Sequence, residues 1–127
     1  MPVTALYAAL LAPLFLALSA RVIMLRRAAR VSMGDGGDKE LLRRMRVHGN
    51  FAEYAPFALL LIGLAESLHT RAWLLHGLGM ALVAGRYSHA WGLSQPIMRL
   101  RVGGMVTTLT VIALAAACCL WGVIAGA

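Results

Sequence analysis

Apolar residues dominate this chain in four stretches, and polar residues interrupt them at uneven intervals. Val3 to Ala20 is eighteen residues without a charge. That is the length of a membrane span, since a hydrocarbon core about 30 Å thick takes roughly 20 helical residues. Pro13 is expected to bend this helix, because proline removes a backbone donor and crowds the preceding turn. The fourth stretch, Val102 to Ala127, has twenty-six residues and no charge. The third runs from Ala72 to Trp91, with Arg86 and His89 near its end. The second stands apart. Tyr54 to Ala65 gives only twelve apolar residues, too few to cross unless the polar segment RVHGNFAEY, Arg46 to Tyr54, continues the same helix. Pro56 would then kink that helix beside its polar end.

These stretches predict helices over about 3–30, 39–68, 72–92 and 99–126, joined in one domain spanning residues 1–127. The fold class expected is all-α, an integral membrane four-helix bundle. Gly-rich RVSMGDGGD, Arg30 to Asp38, forms the first connection, SLHTR the second, and GLSQPIMRLR the third around Pro96. Small residues recur four apart at Gly77, Ala81 and Gly85, and again at Gly122 and Gly126. Such positions let helices approach closely in lipid, where packing drives association.

Composition strengthens the membrane reading. The chain is 61% hydrophobic and 13% charged, with a mean hydropathy of +0.77, whereas soluble domains carry about a quarter charged residues. The net charge of +7 would suit nucleic acid if it were spread over one face, but it is not. Eight of the twelve Lys and Arg lie between Arg21 and Arg46, and Arg86, Arg99 and Arg101 flank the third connection. Clusters beside apolar spans report orientation and anionic headgroups, so nucleic acid is not expected as a partner. Arg71 alone marks the second connection. The positive-inside rule therefore puts the first and third connections in the cytoplasm and both termini on the other face. No Lys or Arg precedes Val3, which favours a retained first helix over a signal peptide.

Several chemistries find no support. Cys118 and Cys119 are adjacent, about 100° apart on a helix, and are expected to serve as small apolar packing residues. The histidines at 48, 69, 76 and 89 lack the helical spacing of metal ligands within one span. A Gly-rich phosphate loop and a Ser–His–Asp arrangement are also absent from the sequence.

The polar stripe is what remains. Arg46, Asn50, Glu53 and Tyr54 fall at i, i+4, i+7 and i+8, on one helix face. His48 lies roughly opposite Arg46, since two residues turn the helix by about 200°. A carboxylate in a span is costly and normally finds a partner; Arg46 and Arg86 are the candidates for Glu53. Arg86, Tyr87 and His89 (RYSHAWG) make a second polar island, and Arg99 and Arg101 open the fourth helix on the same side. Arginines, a carboxylate, an amide and a tyrosine would converge at one leaflet. That set suits a small ligand bearing carboxylates and an ammonium, because guanidinium grips carboxylate in a forked geometry and Glu53 would accept from the ammonium.

With these motifs in view, RxHxNFxEYxP opening the second helix, RYSHAWG closing the third and RLRVGGM opening the fourth, the chain resembles the MAPEG family. The name denotes membrane-associated proteins in eicosanoid and glutathione metabolism; the short chain is similar to bacterial members. The resemblance implies a homotrimer in the bacterial inner membrane, with glutathione as co-substrate held between subunits near the cytoplasmic leaflet, and no metal. By residue it implies glutathione contacts from Arg46, Asn50, Glu53 and Tyr54. His48 falls where leukotriene-forming relatives have glutamine, which makes it a further candidate glutathione contact. Arg26 and Arg27, in LRRAARVS, become candidates for a glutathione carboxylate, and Arg86 and Tyr87 for the pocket wall. Trp91 replaces a second tyrosine found in some relatives. The thiol-activating arginine would be Arg99, preferred on spacing, or Arg101. The implied activity is a glutathione transferase or peroxidase acting on lipophilic electrophiles or lipid hydroperoxides drawn from membrane lipid. The alternative is a non-enzymatic lipid- or glutathione-binding scaffold. A third reading makes the charges purely structural, fixing helix register in a structural or transport subunit.

Overall fold

The computed structural model describes residues 1–95 and 97–126; Pro96 and the final Ala127, at the centre of the third expected connection and the end of the fourth stretch, lie outside them. Four helices account for most of the described chain: α1 (Pro2–Ala29), α2 (Lys39–Ser67), α3 (Ala72–Ser94) and α4 (Met98–Gly126). No strand occurs among the described residues. α1 and α4 are long and apolar enough to cross a membrane. α1 and α2 run on through Pro13 and Pro56.

Local chemistry explains where the first two helices meet. Arg30 turns into the left-handed region at φ 57°, and its N–H reaches back to the carbonyls of the last α1 turn. Gly34, Gly36 and Gly37 all take positive φ, which glycine tolerates best. The chain thus reverses within nine residues. Asp38 then caps α2, its carboxylate accepting from the N–H groups of Glu40 (2.9 Å) and Leu41 (3.1 Å). Arg44 adds a tie by donating to the Arg21 carbonyl at 2.9 Å, while Arg21 donates to Ser94 Oγ at 2.9 Å.

α3 and α4 form the most extensive helix pair, and α2 packs on both; α1 packs on α2 and α3. The core is Leu, Ile, Val and Ala from all four helices with Phe51 of α2, and Ala55, Ala58, Ile62 and Ala65 continue the inner face of α2. Outside, large apolar side chains such as Leu16, Leu120, Trp121 and Ile124 are exposed. An apolar surface of that extent belongs against lipid or another chain.

The close approach of α3 and α4 depends on glycine. A methyl group at Gly104 would lie 2.5 Å from the Gly85 carbonyl and 2.6 Å from the His89 amide; one at Gly92 would strike the backbone of Leu100 and Arg101. Gly77 and Gly126, by contrast, face open space. The small-residue pattern in the sequence thus included Gly85 but not its partner at Gly104.

Opposite the polar end, Glu66 caps the first helix across the bundle. Its carboxylate accepts from Val3 N–H (3.0 Å), Thr4 N–H (2.8 Å) and Thr4 Oγ1 (2.6 Å). Those donors are orphaned at any helix start, and the helix dipole favours the negative charge there. Glu66 lies just past the apolar run of α2. Partial burial pushes its carboxyl up, but the hydrogen bonds from Thr4 and Val3 outweigh that and hold it below the usual glutamate range. A lowered folded-state pKa means this contribution is complete above the unfolded value of about 4.3 and is lost as pH falls through the folded value. Glu66→Ala should therefore cost about 1 kcal/mol, the usual value of a lost cap. Thermal unfolding in detergent should show that deficit at neutral pH, and it should narrow on acidification below the glutamate range.

Candidate functional site

The polar residues of α2 meet α3 and α4 in one open groove of about 770 Å³. Lys39, Arg43, Arg46, Asn50 and Glu53 line it from α2, His89 and Leu93 from α3, and Arg101, Val102, Met105 and Val106 from α4. The α2 set falls at steps of three and four residues, the spacing of a single helical face. One wall is therefore polar and cationic with a single carboxylate, and the opposite wall is largely apolar. The volume falls within the range of small-molecule sites, about 300–1,000 Å³.

Beneath the groove lies a buried polar knot. Arg86 is 2% exposed, and its guanidinium donates to Thr108 Oγ1 at 3.0 Å and to Asn50 Oδ1. Tyr54 sits under the same guanidinium, with its ring centroid 6.0 Å away, in reach of a cation–π contact. Thr108 in turn donates to the Gly104 carbonyl at 2.8 Å. The effect is positional. Asn50, one of the groove residues, is held by a cation that itself is fixed on three sides. Arg86 Nη2 has no hydrogen-bond partner.

The positions expected from the sequence thus separate into groups. Arg46, Asn50 and Glu53 share the groove. Tyr54 and Arg86 stand behind it, supporting rather than lining. His48 stays on the far side of α2, away from the groove the resemblance would give it: its Nε2 lies 3.1 Å from Ser19 Oγ, and its ring stacks on Phe15 at 5.3 Å. Two residues from Arg46, it points at α1 as helix geometry requires. Tyr87 also turns to α1, donating to the Leu10 carbonyl at 3.0 Å. Arg26 and Arg27 line a separate shallow groove at the end of α1, and Arg26 donates to the Gly34 carbonyl at 2.7 Å. At the start of α4, Arg101 lines the main groove and Arg99 does not. The same two-residue offset separates them.

Glu53 has a different setting from the one expected. The ion pairs among the described residues join Glu40 to Arg43 and Arg44, so neither Arg46 nor Arg86 pairs with Glu53. Its side chain is exposed at the groove. Lys39 and Arg43 of α2 line the groove beyond the stripe read from the sequence, and His89 joins it from the polar island of α3. It is three positions past Arg86, a spacing that places the two on one face.

A helical membrane protein with a polar groove at one end of its bundle is the class these features define. The chain belongs to the MAPEG family, whose model it matches over residues 4–121. It is also 40% identical over 119 residues to the inner membrane protein YecN of Escherichia coli K12, covering 94% of this chain and 91% of that protein. The protein of the same name from Escherichia coli O6:H1 matches to the same extent. The family is membranous and includes glutathione transferases and peroxidases.

Proposed function

We propose that this chain is a membrane-bound glutathione transferase or peroxidase, with the groove between α2, α3 and α4 as its thiol site. The observation that carries this is the meeting of Arg46, Asn50, Glu53 and Arg101 around one cavity in a chain otherwise so apolar. Buried or membrane-embedded polar clusters are expensive and seldom kept without a ligand or partner. Glutathione is a compact peptide with two carboxylates, one ammonium and a thiol. The groove offers a complement for each: arginines for carboxylates, Glu53 for the ammonium, and an arginine for the sulfur.

Arg46 and Asn50 would bind and orient the peptide. With no ion-pair partner among the described residues, Glu53 is free to accept from its ammonium. Arg101 would stabilise the thiolate. A free thiol has a pKa of about 8.5, and a neighbouring cation in a poorly hydrated site lowers it, so thiolate is present at neutral pH. The thiolate then attacks an electrophile or a hydroperoxide oxygen. Val102, Met105 and Val106 supply an apolar wall along which a lipophilic co-substrate can enter from the bilayer.

The groove is open on one side, and Arg26 and Arg27 lie outside it. A homotrimer in which a neighbouring chain closes that side would bring α1 arginines to the peptide's carboxylates. All four helices would then span the inner membrane, with the groove at the cytoplasmic leaflet where basic residues are densest and both termini on the other face.

Glu53→Gln is the direct test, because it keeps size and hydrogen bonding while removing the charge. Glutathione affinity, measured by calorimetry on detergent-solubilised protein, should fall by about tenfold or more, the loss of one charge-assisted contact. Affinity equal to that of the parent would remove the ammonium site and with it this orientation of the peptide.

A further inference from the structure

The bundle carries a second groove, at the end opposite the polar one. The second connection, the start of α3 and the end of α4 enclose about 660 Å³ there. Gly122 sets how closely these parts meet. A Cβ at that position would lie 2.8 Å from Leu68 Cβ, so α4 can close on the connection only because the side chain is missing. Leu74, Leu114, Ala117 and Cys118 make the walls apolar. The proposed thiol chemistry uses none of this space.

Two features give the groove a direction. Trp73 and Trp121 border it and are 69% and 72% exposed. Exposed tryptophans near helix ends in a membrane protein mark the boundary between hydrocarbon and headgroups, where the ring meets lipid and the N–H meets water. Arg71 borders the same space and is the basic residue of the second connection. It is exposed, and its guanidinium makes no ion pair or hydrogen bond among the described residues. Glu66, the acidic residue nearest to it in sequence, is committed elsewhere, with both carboxylate oxygens accepting from Val3 and Thr4. Among the described residues no carboxylate lines the groove.

That combination defines the occupant. An apolar slot at headgroup depth takes an acyl chain, and a guanidinium beside it grips a phosphate through forked hydrogen bonds. His69 and Thr70 add hydrogen-bonding groups to the same border. A zwitterionic headgroup would bring an ammonium with no carboxylate to receive it. A second copy of this chain fits less well. The other acids, Asp35, Asp38, Glu40 and Glu53, lie no later than the middle of α2, so a parallel neighbour has none to set against Arg71. Burying that charge unpaired would be costly.

We propose that this groove binds an anionic phospholipid whose headgroup carries no amine, with its phosphate on Arg71 and an acyl chain along the apolar walls. The site is separate from the thiol groove and does not depend on it.

Tryptophan quenching in the full chain tests this. Trp91 lies near the other end of α3, so Trp91→Phe leaves Trp73 and Trp121 as reporters. That protein would be reconstituted in phosphatidylcholine vesicles containing a small fraction of phosphatidylglycerol brominated in its acyl chains, or the same fraction of equally brominated phosphatidylcholine. Quenching should show phosphatidylglycerol associating about fivefold or more tightly, the worth of one basic residue beside an anionic lipid. Arg71→Gln should bring that ratio close to one. Arg99→Gln, which removes the same charge at the other end, should keep it. Ala117→Phe fills the slot and should lower quenching by both lipids. Equal quenching of the parent by the two lipids would mean ordinary lipid contact and would overturn the proposal. A preference that survives Arg71→Gln would do the same, as would reporters shielded from both lipids by a neighbouring copy. Should Arg71→Gln fail to fold, Ala117→Phe decides, and unchanged quenching in it would overturn the site.

Discussion

Arg101→Ala should reduce glutathione-dependent turnover by about 10²–10³-fold, whereas Arg99→Ala should leave it close to the parent. The size follows from removing one preorganised charge aimed at a developing anion, which costs about 2.7–4 kcal/mol in comparable sites. The asymmetry follows from position. Arg101 lines the groove with Arg46, Asn50 and Glu53, and Arg99 lies about 200° around the same helix. Assay with a small aromatic electrophile and with a lipid hydroperoxide would check both reactions. The reverse pattern, Arg99 essential and Arg101 dispensable, would place the thiol elsewhere.

The second large effect concerns stability. Gly104→Val should abolish or severely weaken the folded state, because even its Cβ would stand 2.5 Å from the Gly85 carbonyl and 2.7 Å from His89 Cβ. Backbone atoms cannot turn aside, so α3 and α4 must separate, and with them the wall that carries His89 and Arg101. Overpacking a tight contact costs about 1–3 kcal/mol and sometimes more. The neighbouring Gly103 is the control. A Cβ there meets nothing within 4 Å, and alanine is up to about 1 kcal/mol better than glycine inside a helix. Gly103→Ala should therefore be neutral or stabilising in the same thermal unfolding experiment. Equal loss in both variants would mean that helix propensity, not the α3–α4 contact, is being measured.

Much of the architecture was legible because it is written locally. Four apolar runs and the Gly-rich and Pro-bearing segments of the first and third connections all lie within short windows. The polar face of α2 was legible for the same reason: positions three and four apart share a face whatever they pack against. That geometry also placed His48 on the far side, and its contacts with Ser19 and Phe15 follow from it. Family resemblance pointed the other way at this residue. What the sequence could not convey was rotational phase. α4 is apolar around nearly its whole circumference, so no pattern tells which side faces α3. The choice between Arg99 and Arg101 depends on that phase, and the phase is set by Gly92 and Gly104 meeting backbone across the interface. The same ignorance favoured Gly77 and Gly126, which are small but face open space. Long-range pairs were equally hidden. Glu66 capping α1 at Thr4 joins residues 62 apart, and Arg86 reaches Asn50 over 36.

The central claim is that the groove binds a thiol peptide and ionises it. An ultraviolet difference titration of the detergent-solubilised parent with glutathione at neutral pH tests that most directly. A saturable thiolate band, lost in Arg101→Ala and kept in Arg99→Ala, is the predicted result. A folded protein that produces no thiolate band at saturating glutathione would contradict it.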